Sequence, residues 1–308
     1  MQTTPWVEKY RPSSFDGIVL EKYNKIFLGN IIAKNCFPNL LFYGPPGTGK
    51  TTTIINLIQS YQLKNNCNDK SLVIHLNASD ERGIDTVRNN INSFVNSKSL
   101  FKKGMKFVIL DEVDYMTKNA QQALKYLLHS QPSNVRFCLI CNYISKIDES
   151  LQNDLVRVRF NQLPKENIIH FLENISNSEK LQYSQAQLYS IQYLFNSDLR
   201  SMINYMQSNQ HVSFKYEIIS NDTWESIISA CSVSPQNAIQ LVNNTSLEQN
   251  IEKKHMIKCL MNYIIRNKPT IVNDIFLSTC KNITHSQDSS LDYLVIYFFE
   301  ELHTLLSL

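Results

Sequence analysis

Gly44, Pro45, Pro46, Gly47, Thr48, Gly49, Lys50 and Thr51 join the apolar run Leu40-Leu-Phe-Tyr43 to the segment Thr52-Thr-Ile-Ile-Asn-Leu-Ile58. A strand, a glycine-rich loop and a helix start, in that order, make a P-loop. Its backbone must curl N–H groups around phosphate oxygens, and glycine permits the positive φ angles and close approach this requires. Lys50 then offers a charge to the β- and γ-phosphates of a nucleoside triphosphate, and Thr51 a hydroxyl to Mg2+. Roughly 60 residues farther on, Phe107-Val-Ile-Leu-Asp111-Glu112 carries an acidic pair to the end of a strand, where open α/β sheets bind ligands. Asp111 suits the Mg2+ shell and Glu112 the attacking water, and hydrolysis needs little more than such placement and charge stabilisation. The next strand closes with Cys141-Asn142. Asn142 either sits between the γ-phosphate and the water or caps the following turn. Arg200, in Asp198-Leu-Arg200, stands near a helix start from which a mobile lid would bring it to the γ-phosphate. The alternative is an arginine on a solvated helix face, and the local sequence leaves the two open.

These residues need a sheet behind them. Leu40–Tyr43, Leu72–Leu76, Phe107–Leu110 and Phe137–Cys141 read as buried parallel strands alternating with amphipathic segments. All seven glycines fall at or before Gly104, so the architecture changes after the first third. Beyond it, spacings such as Ile168, Phe171, Leu172 and Ile175 predict helices joined by Asn, Ser and Pro turns. The expected fold is an α/β layer with a parallel sheet, followed by an all-α part. Cys138 and Cys141 form a Cys-x-x-Cys inside an apolar run with no second pair nearby, which reads as two core strand residues.

At 308 residues the chain exceeds one typical domain. No apolar run approaches the roughly 20 residues of a membrane span, the start lacks a signal-peptide pattern, and the seven cysteines are scattered. These features lead us to expect an intracellular protein with no membrane partner. The net charge of +3 conceals an asymmetry. Residues 1–160 carry 20 Lys and Arg against 13 Asp and Glu, while residues 161–308 carry 10 against 14. The basic half can face nucleic acid or be an ordinary solvated surface.

Several segments taken together resemble the small subunits of replication factor C, which are AAA+ clamp-loader ATPases. They are Trp6-Val-Glu-Lys-Tyr-Arg-Pro12, the P-loop, Asn77-Ala-Ser-Asp-Glu-Arg-Gly-Ile-Asp-Thr-Val-Arg88, the Asp111-Glu112 strand, Arg136-Phe137 with Asn142, and Asp198-Leu-Arg200. The resemblance runs from residue 5 to about residue 210. It implies a RecA-like AAA+ domain over 1–160, a helical lid over 161–212 and a helical collar over 213–308. By the same resemblance Tyr10, Arg11 and Pro12 lie against the adenine, Asn142 is the sensor-1 residue and Arg200 sensor 2. The implied partners are other subunits of a heteropentamer, a ring-shaped sliding clamp and primer–template DNA. Arg82, Arg88, Lys118 and Lys125 are the candidates for DNA phosphates, and Leu100-Phe101 for the clamp.

Three positions depart from the family pattern. Val113 replaces the alanine of Asp-Glu-Ala-Asp, and Leu20 stands where a glycine is usual. In Leu151-Gln152-Asn153-Asp154-Leu155, Asp154 occupies the place of the arginine that reaches a neighbour's ATP. A carboxylate there repels transferred phosphate charge. Arg157 replaces it only if the backbone shifts, and the Val156/Val158 alternation argues against that. The expectation is a clamp-loader ATPase subunit. A branch-migration type of AAA+ motor, or an ATP-binding subunit without turnover, remains open at this stage.

Overall fold

The computed structural model describes residues 4–67, 69–78, 84–96, 104–130, 134–181, 183–210, 221–286 and 291–307. Arg82, Leu100 and Phe101 lie outside these, as does the side chain of Arg88. The chain divides into two compact units, Met1–Leu181 with Phe195–Ser208 and Gln182–Leu194 with Asn209–Leu308.

In the first unit, α1 (Trp6–Lys9) and α2 (Lys22–Lys34) precede β1 (Leu40–Tyr43) and α3 (Lys50–Lys64). Then come β2 (Val73–Asn77), α4 (Ile84–Asn96), β3 (Lys106–Asp111), α5 (Lys118–Ser130), β4 (Val135–Cys141), α6 (Glu149–Gln152) and β5 (Val156–Arg159). Helices α7 (Lys165–Ser178), α8 (Gln185–Phe195) and α9 (Leu199–Ser208) follow, and the stretch 161–212 is shared between the units, α7 and α9 falling in the first.

All five strands are parallel, in the order β2-β3-β4-β1-β5. The period of two sorts their side chains into two cores. Leu40, Phe42, Phe107, Ile109, Cys138 and Ile140 face Leu28 and Ile31 of α2 and Ile54, Leu57 and Ile58 of α3. Leu41, Val108, Leu110, Phe137, Leu139 and Cys141 face Ile91 of α4 and Leu124 and Leu127 of α5. Cys138 and Cys141 therefore point to opposite faces and cannot share a metal. Burial pushes both thiols well above the usual range, that of Cys141 to about 12.

Two strand expectations are corrected. Leu72 is buried at the end of a 3-10 turn, and β2 starts one residue later. Its side chains are at most half-buried because it is an edge strand, unlike the fully covered β3. At the other edge, β5 has only Val158 buried while Val156 is 40% exposed, so its alternation is less regular than the Val156/Val158 pattern suggests. β4 and β5 flank β1, whose following helix α3 packs on the face opposite α4 and α5, and strand ends at such a switch point form a ligand crevice.

The second unit is helical. It holds α10 (Asn221–Val233), α11 (Pro235–Gln249), α12 (Lys253–Asn267), α13 (Asp274–His285) and α14 (Leu291–Leu306), with α14 packed on the other four. Trp224, Phe276, Phe298 and Phe299 are fully buried there. Asn and Ser do the terminating work that glycine does elsewhere. Ser234 caps α11 with Pro235 at the first turn, Asn250 ends it in the left-handed conformation, and Asn273 accepts from the Phe276 N–H to start α13. No helix among the described residues is long and apolar enough to cross a membrane.

Candidate nucleotide-binding site

The loop after β1 is shaped by what a side chain would strike. At Gly44 (φ 140°) a Cβ would lie 2.0 Å from the carbonyl oxygen of Phe160, and at Gly47 (φ 72°) 1.8 Å from Asp198 Oδ1. Thr48 Oγ1 donates to the Pro45 carbonyl at 2.9 Å, and α3 begins at Lys50 directly after Gly49. The N-terminus of α3 therefore opens onto the loop, where its free N–H groups and dipole favour an anion.

Lys50, 7% exposed, donates to the carbonyls of Gly44 at 2.8 Å and Pro45 at 2.7 Å and to Asn142 Oδ1 at 2.9 Å. Burial lowers its pKa, against the opposing pull of Asp111, Cys141 and Asp114. Thr51 Oγ1 donates to Asp111 Oδ2 at 2.7 Å, and the Glu112 N–H to Asp111 Oδ1 at 2.9 Å. His75 Nε2 lies 3.9 Å from the same Oδ2. Burial would raise the Asp111 pKa, but the neighbouring His75 and the hydrogen bonds from Thr51 and the Glu112 backbone outweigh it and hold the carboxyl below its ordinary value. Glu112 itself has φ 56°, an uncommon angle for a non-glycine residue. Strand β3 thus ends by turning its second acid out of the sheet line. Asn142 is held from behind, since the buried Asp114 Oδ2 accepts the N–H groups of Asn142 at 3.3 Å and Tyr143 at 3.2 Å.

Lys50, Thr51, Thr52, Asp111, Glu112, Asn142 and Arg200 line a cavity of about 250 Å³. Tyr10, Arg11 and Pro12 line the same cavity, with Val7, Ile18, Val19, Phe171 and Ile203 as apolar wall. Leu20 is not part of it, being buried in the core beside α2 and α3. Arg200 is exposed, and its position follows from Asp198. The Asp198 carboxylate accepts from the Ser201 N–H at 3.0 Å and hydroxyl at 2.9 Å, capping α9, while the next residue, Leu199, donates its N–H to the Gly47 carbonyl at 3.2 Å. The start of α9 is thereby fastened to the phosphate loop.

Other expected residues lie elsewhere. Lys118 is exposed as the first residue of α5 and Lys125 is half-buried two turns on. Arg136 binds the Phe37 carbonyl through Nε at 2.5 Å and the Val135 carbonyl through Nη1 at 2.8 Å, a structural role. Asp154 lies 3.0 Å from His129 Nε2, and Arg157 reaches Gln152 Oε1 at 3.4 Å. Sequence reasoning missed His75, the bracing role of Asp114, the capping role of Asp198, and Phe171 and Ile203 as cavity wall. Asp114 and Asp198 stand inside quoted motifs, whereas a single histidine in a strand carries no signal.

The residues present fit a nucleotide. The cradle tolerates no Cβ at Gly44 or Gly47, and a hydroxyl and a carboxylate converge beside a buried lysine, as a metal-bound phosphate chain requires. Residues 40–163 match the family described as ATPase family associated with various cellular activities (AAA). Human replication factor C subunit 5 is 42% identical over 208 residues, covering 68% of this chain and 61% of that protein. Subunit 3 from Saccharomyces cerevisiae is 41% identical over 207 residues (67% and 60%), and small subunit 2 from Pyrobaculum islandicum 42% over 206 residues (66% and 62%). The aligned chain spans about three-fifths of the length of these relatives. Among solved structures, the Thermotoga maritima RuvB Holliday junction branch migration motor is similar with a TM-score of 0.53 and 12% identity, covering 83% of this chain and 91% of its own, a likeness of fold alone. Animal, fungal and archaeal relatives share one name, each aligned over about two-thirds of this chain, and over that stretch the chain is similar to replication factor C subunits, with an AAA ATPase domain at residues 40–163.

Proposed function

We propose that this chain is an ATPase subunit of a clamp loader, which uses ATP binding and hydrolysis to open a ring-shaped sliding clamp and release it on primer–template DNA. The observation that carries the reading is the convergence of Lys50 on Asn142 and of Thr51 on Asp111 at one sheet edge. In this reading the backbone of Gly44 to Gly49 cradles the phosphates, with Thr52 beside them, and Lys50 neutralises the β- and γ-oxygens. Thr51 and Asp111 would hold Mg2+, which would supply positive charge against the phosphates. Glu112 orients the attacking water, Asn142 contacts it and the γ-phosphate, and Arg200 adds charge from α9. Tyr10, Arg11 and Pro12 hold the adenine.

Residues 1–160 form the AAA+ domain, 161–212 the lid and 213–308 the collar that joins the chain to the other subunits of a heteropentamer. Arg82, Arg88, Lys118 and Lys125 face DNA phosphates, and Leu100-Phe101 the clamp. Asp154, engaged by His129, supplies no charge to a neighbour's ATP, so this chain suits the edge of a ring gap. The site of action is the nucleus of a eukaryote or the replication compartment of a large DNA virus.

The test separates binding from chemistry. Lys50→Ala is expected to abolish tight ATP binding, whereas Glu112→Gln keeps binding and lowers turnover at this site by about 100-fold or more. Both are measured in the assembled complex, with the partner subunits' own sites inactivated. Equal ATPase rates for wild type and Glu112→Gln would overturn the assignment of Glu112.

A further inference from the structure

We propose that Glu179 is a positioning residue for the base end of this site, holding the segment around Tyr10 at a set distance from α7. The inference rests on the nucleotide reading above.

Glu179 is the residue on which α7 ends. Its Oε1 accepts both the Tyr10 hydroxyl and Lys9 Nζ, each at 2.6 Å. The Tyr10 ring lines the cavity from the N-terminal segment, and Phe171 lines it from two turns earlier on α7. One carboxylate oxygen thus fixes the spacing of two cavity walls that are far apart in sequence.

The N-terminal segment needs such a tie, because the four-residue α1 is too short to hold its own conformation. It is anchored at three points. Gln207 Oε1 of α9 accepts the Trp6 N–H at 2.9 Å, Asn56 Nδ2 of α3 donates to the Pro12 carbonyl at 2.9 Å, and Glu179 holds Tyr10 between them. The helices that carry Thr51, Phe171 and Arg200 are therefore joined by residues 6–12. Of the three ties, only the one at Glu179 is charge-assisted, and such bonds are the shorter and stronger kind. Its two partners are unequal. The Lys9 side chain is 49% exposed, so solvent screens that contact, and the Tyr10 hydroxyl is the partner that carries the positioning. Hydrogen bonds from Lys9 and Tyr10 lower the Glu179 pKa, which keeps the acceptor charged at neutral pH.

The experiment measures calorimetric Kd values of the full chain for ATP and for inorganic tripolyphosphate, which has no base. Glu179→Ala is expected to weaken ATP roughly 3- to 10-fold, the loss of one such hydrogen bond, and to leave tripolyphosphate within about twofold. Glu179→Gln keeps an acceptor oxygen without the charge and is expected to recover part of the affinity. Tyr10→Phe, which keeps the ring and the fold, should reproduce the alanine loss, and the double variant should add little to it. Unchanged ATP affinity in Glu179→Ala or in Tyr10→Phe overturns the proposal, as does an equal loss for both ligands. Lys50→Ala serves as the control and weakens both ligands. If it weakens neither, the nucleotide reading itself fails, a result distinct from loss of the Glu179 effect alone.

Discussion

Gly44 carries the least yielding steric demand in the phosphate loop. Its φ of 140° is one that side-chain-bearing residues rarely adopt, and the atom a Cβ would meet is a backbone oxygen that cannot swing aside. Gly44→Ala is expected to destabilise the first unit by about 2 kcal/mol or more and to displace Lys50, which donates to the Gly44 carbonyl. Urea denaturation of the full chain, followed by ATP titration of the folded fraction, checks both effects. Wild-type stability and affinity together would refute the steric account. The charged residues beside the loop follow a different logic. Burial weakens the hold of Lys50 on its proton, whereas hydrogen bonds prevail over burial at Asp111 and keep it a carboxylate.

Among the elements, β3 and β2 are neighbours with unequal burdens. Phe107 of β3 is fully buried, its ring 4.8 Å from that of Phe37 and 5.9 Å from that of Tyr61, so truncation leaves a cavity that packed aromatics cannot close. Ile74, on the edge strand β2, is half-buried and has water within reach. Phe107→Ala is expected to cost roughly 3–5 kcal/mol and Ile74→Ala clearly less, on the order of 1–2 kcal/mol. Chemical denaturation midpoints compare them directly, and equal losses would mean that β2 is covered in solution by something beyond this chain's described residues. The same contrast governs function, because β3 delivers Asp111 from a rigid centre while His75 reaches it from the edge.

For the whole molecule, the uneven charge along the chain bears on DNA. An excess of basic residues over 1–160 with an acidic excess beyond it favours nucleic acid on the first part alone. Lys118 is solvent-exposed at the head of α5, where a phosphate would also meet the helix N-terminus. Arg88 lies on α4, the neighbouring helix of the same layer. A double Arg88→Ala/Lys118→Ala variant, assembled in its complex, is expected to bind primer–template DNA more weakly regardless of sequence. Two lost phosphate contacts should flatten the log Kd against log salt slope by roughly 1–2 units. An unchanged slope removes both residues from the DNA surface.

What the sequence determined by itself was whatever local rules control. The P-loop was legible because its glycines, Lys50 and Thr51 answer to φ angles and phosphate geometry within eight neighbouring residues, and the buried strands because a continuous apolar run has few other uses. The glycine-free helical part was legible for the same reason, its Asn and Ser caps acting within one turn. Tertiary structure alone decided the contacts between distant segments. Glu179 meets Tyr10 across 169 residues, Asp198 abuts Gly47, His75 approaches Asp111, and His129 takes up the carboxylate of Asp154. None has a periodicity or a fixed spacing to announce it. Parallel strands with crossover helices bring Gly47, Asp111 and their partners to the carboxyl edge of the sheet, while His129 at the end of α5 and Asp154 before β5 meet at the amino edge, and which side chains meet depends on packing between layers rather than on any residue's own preferences.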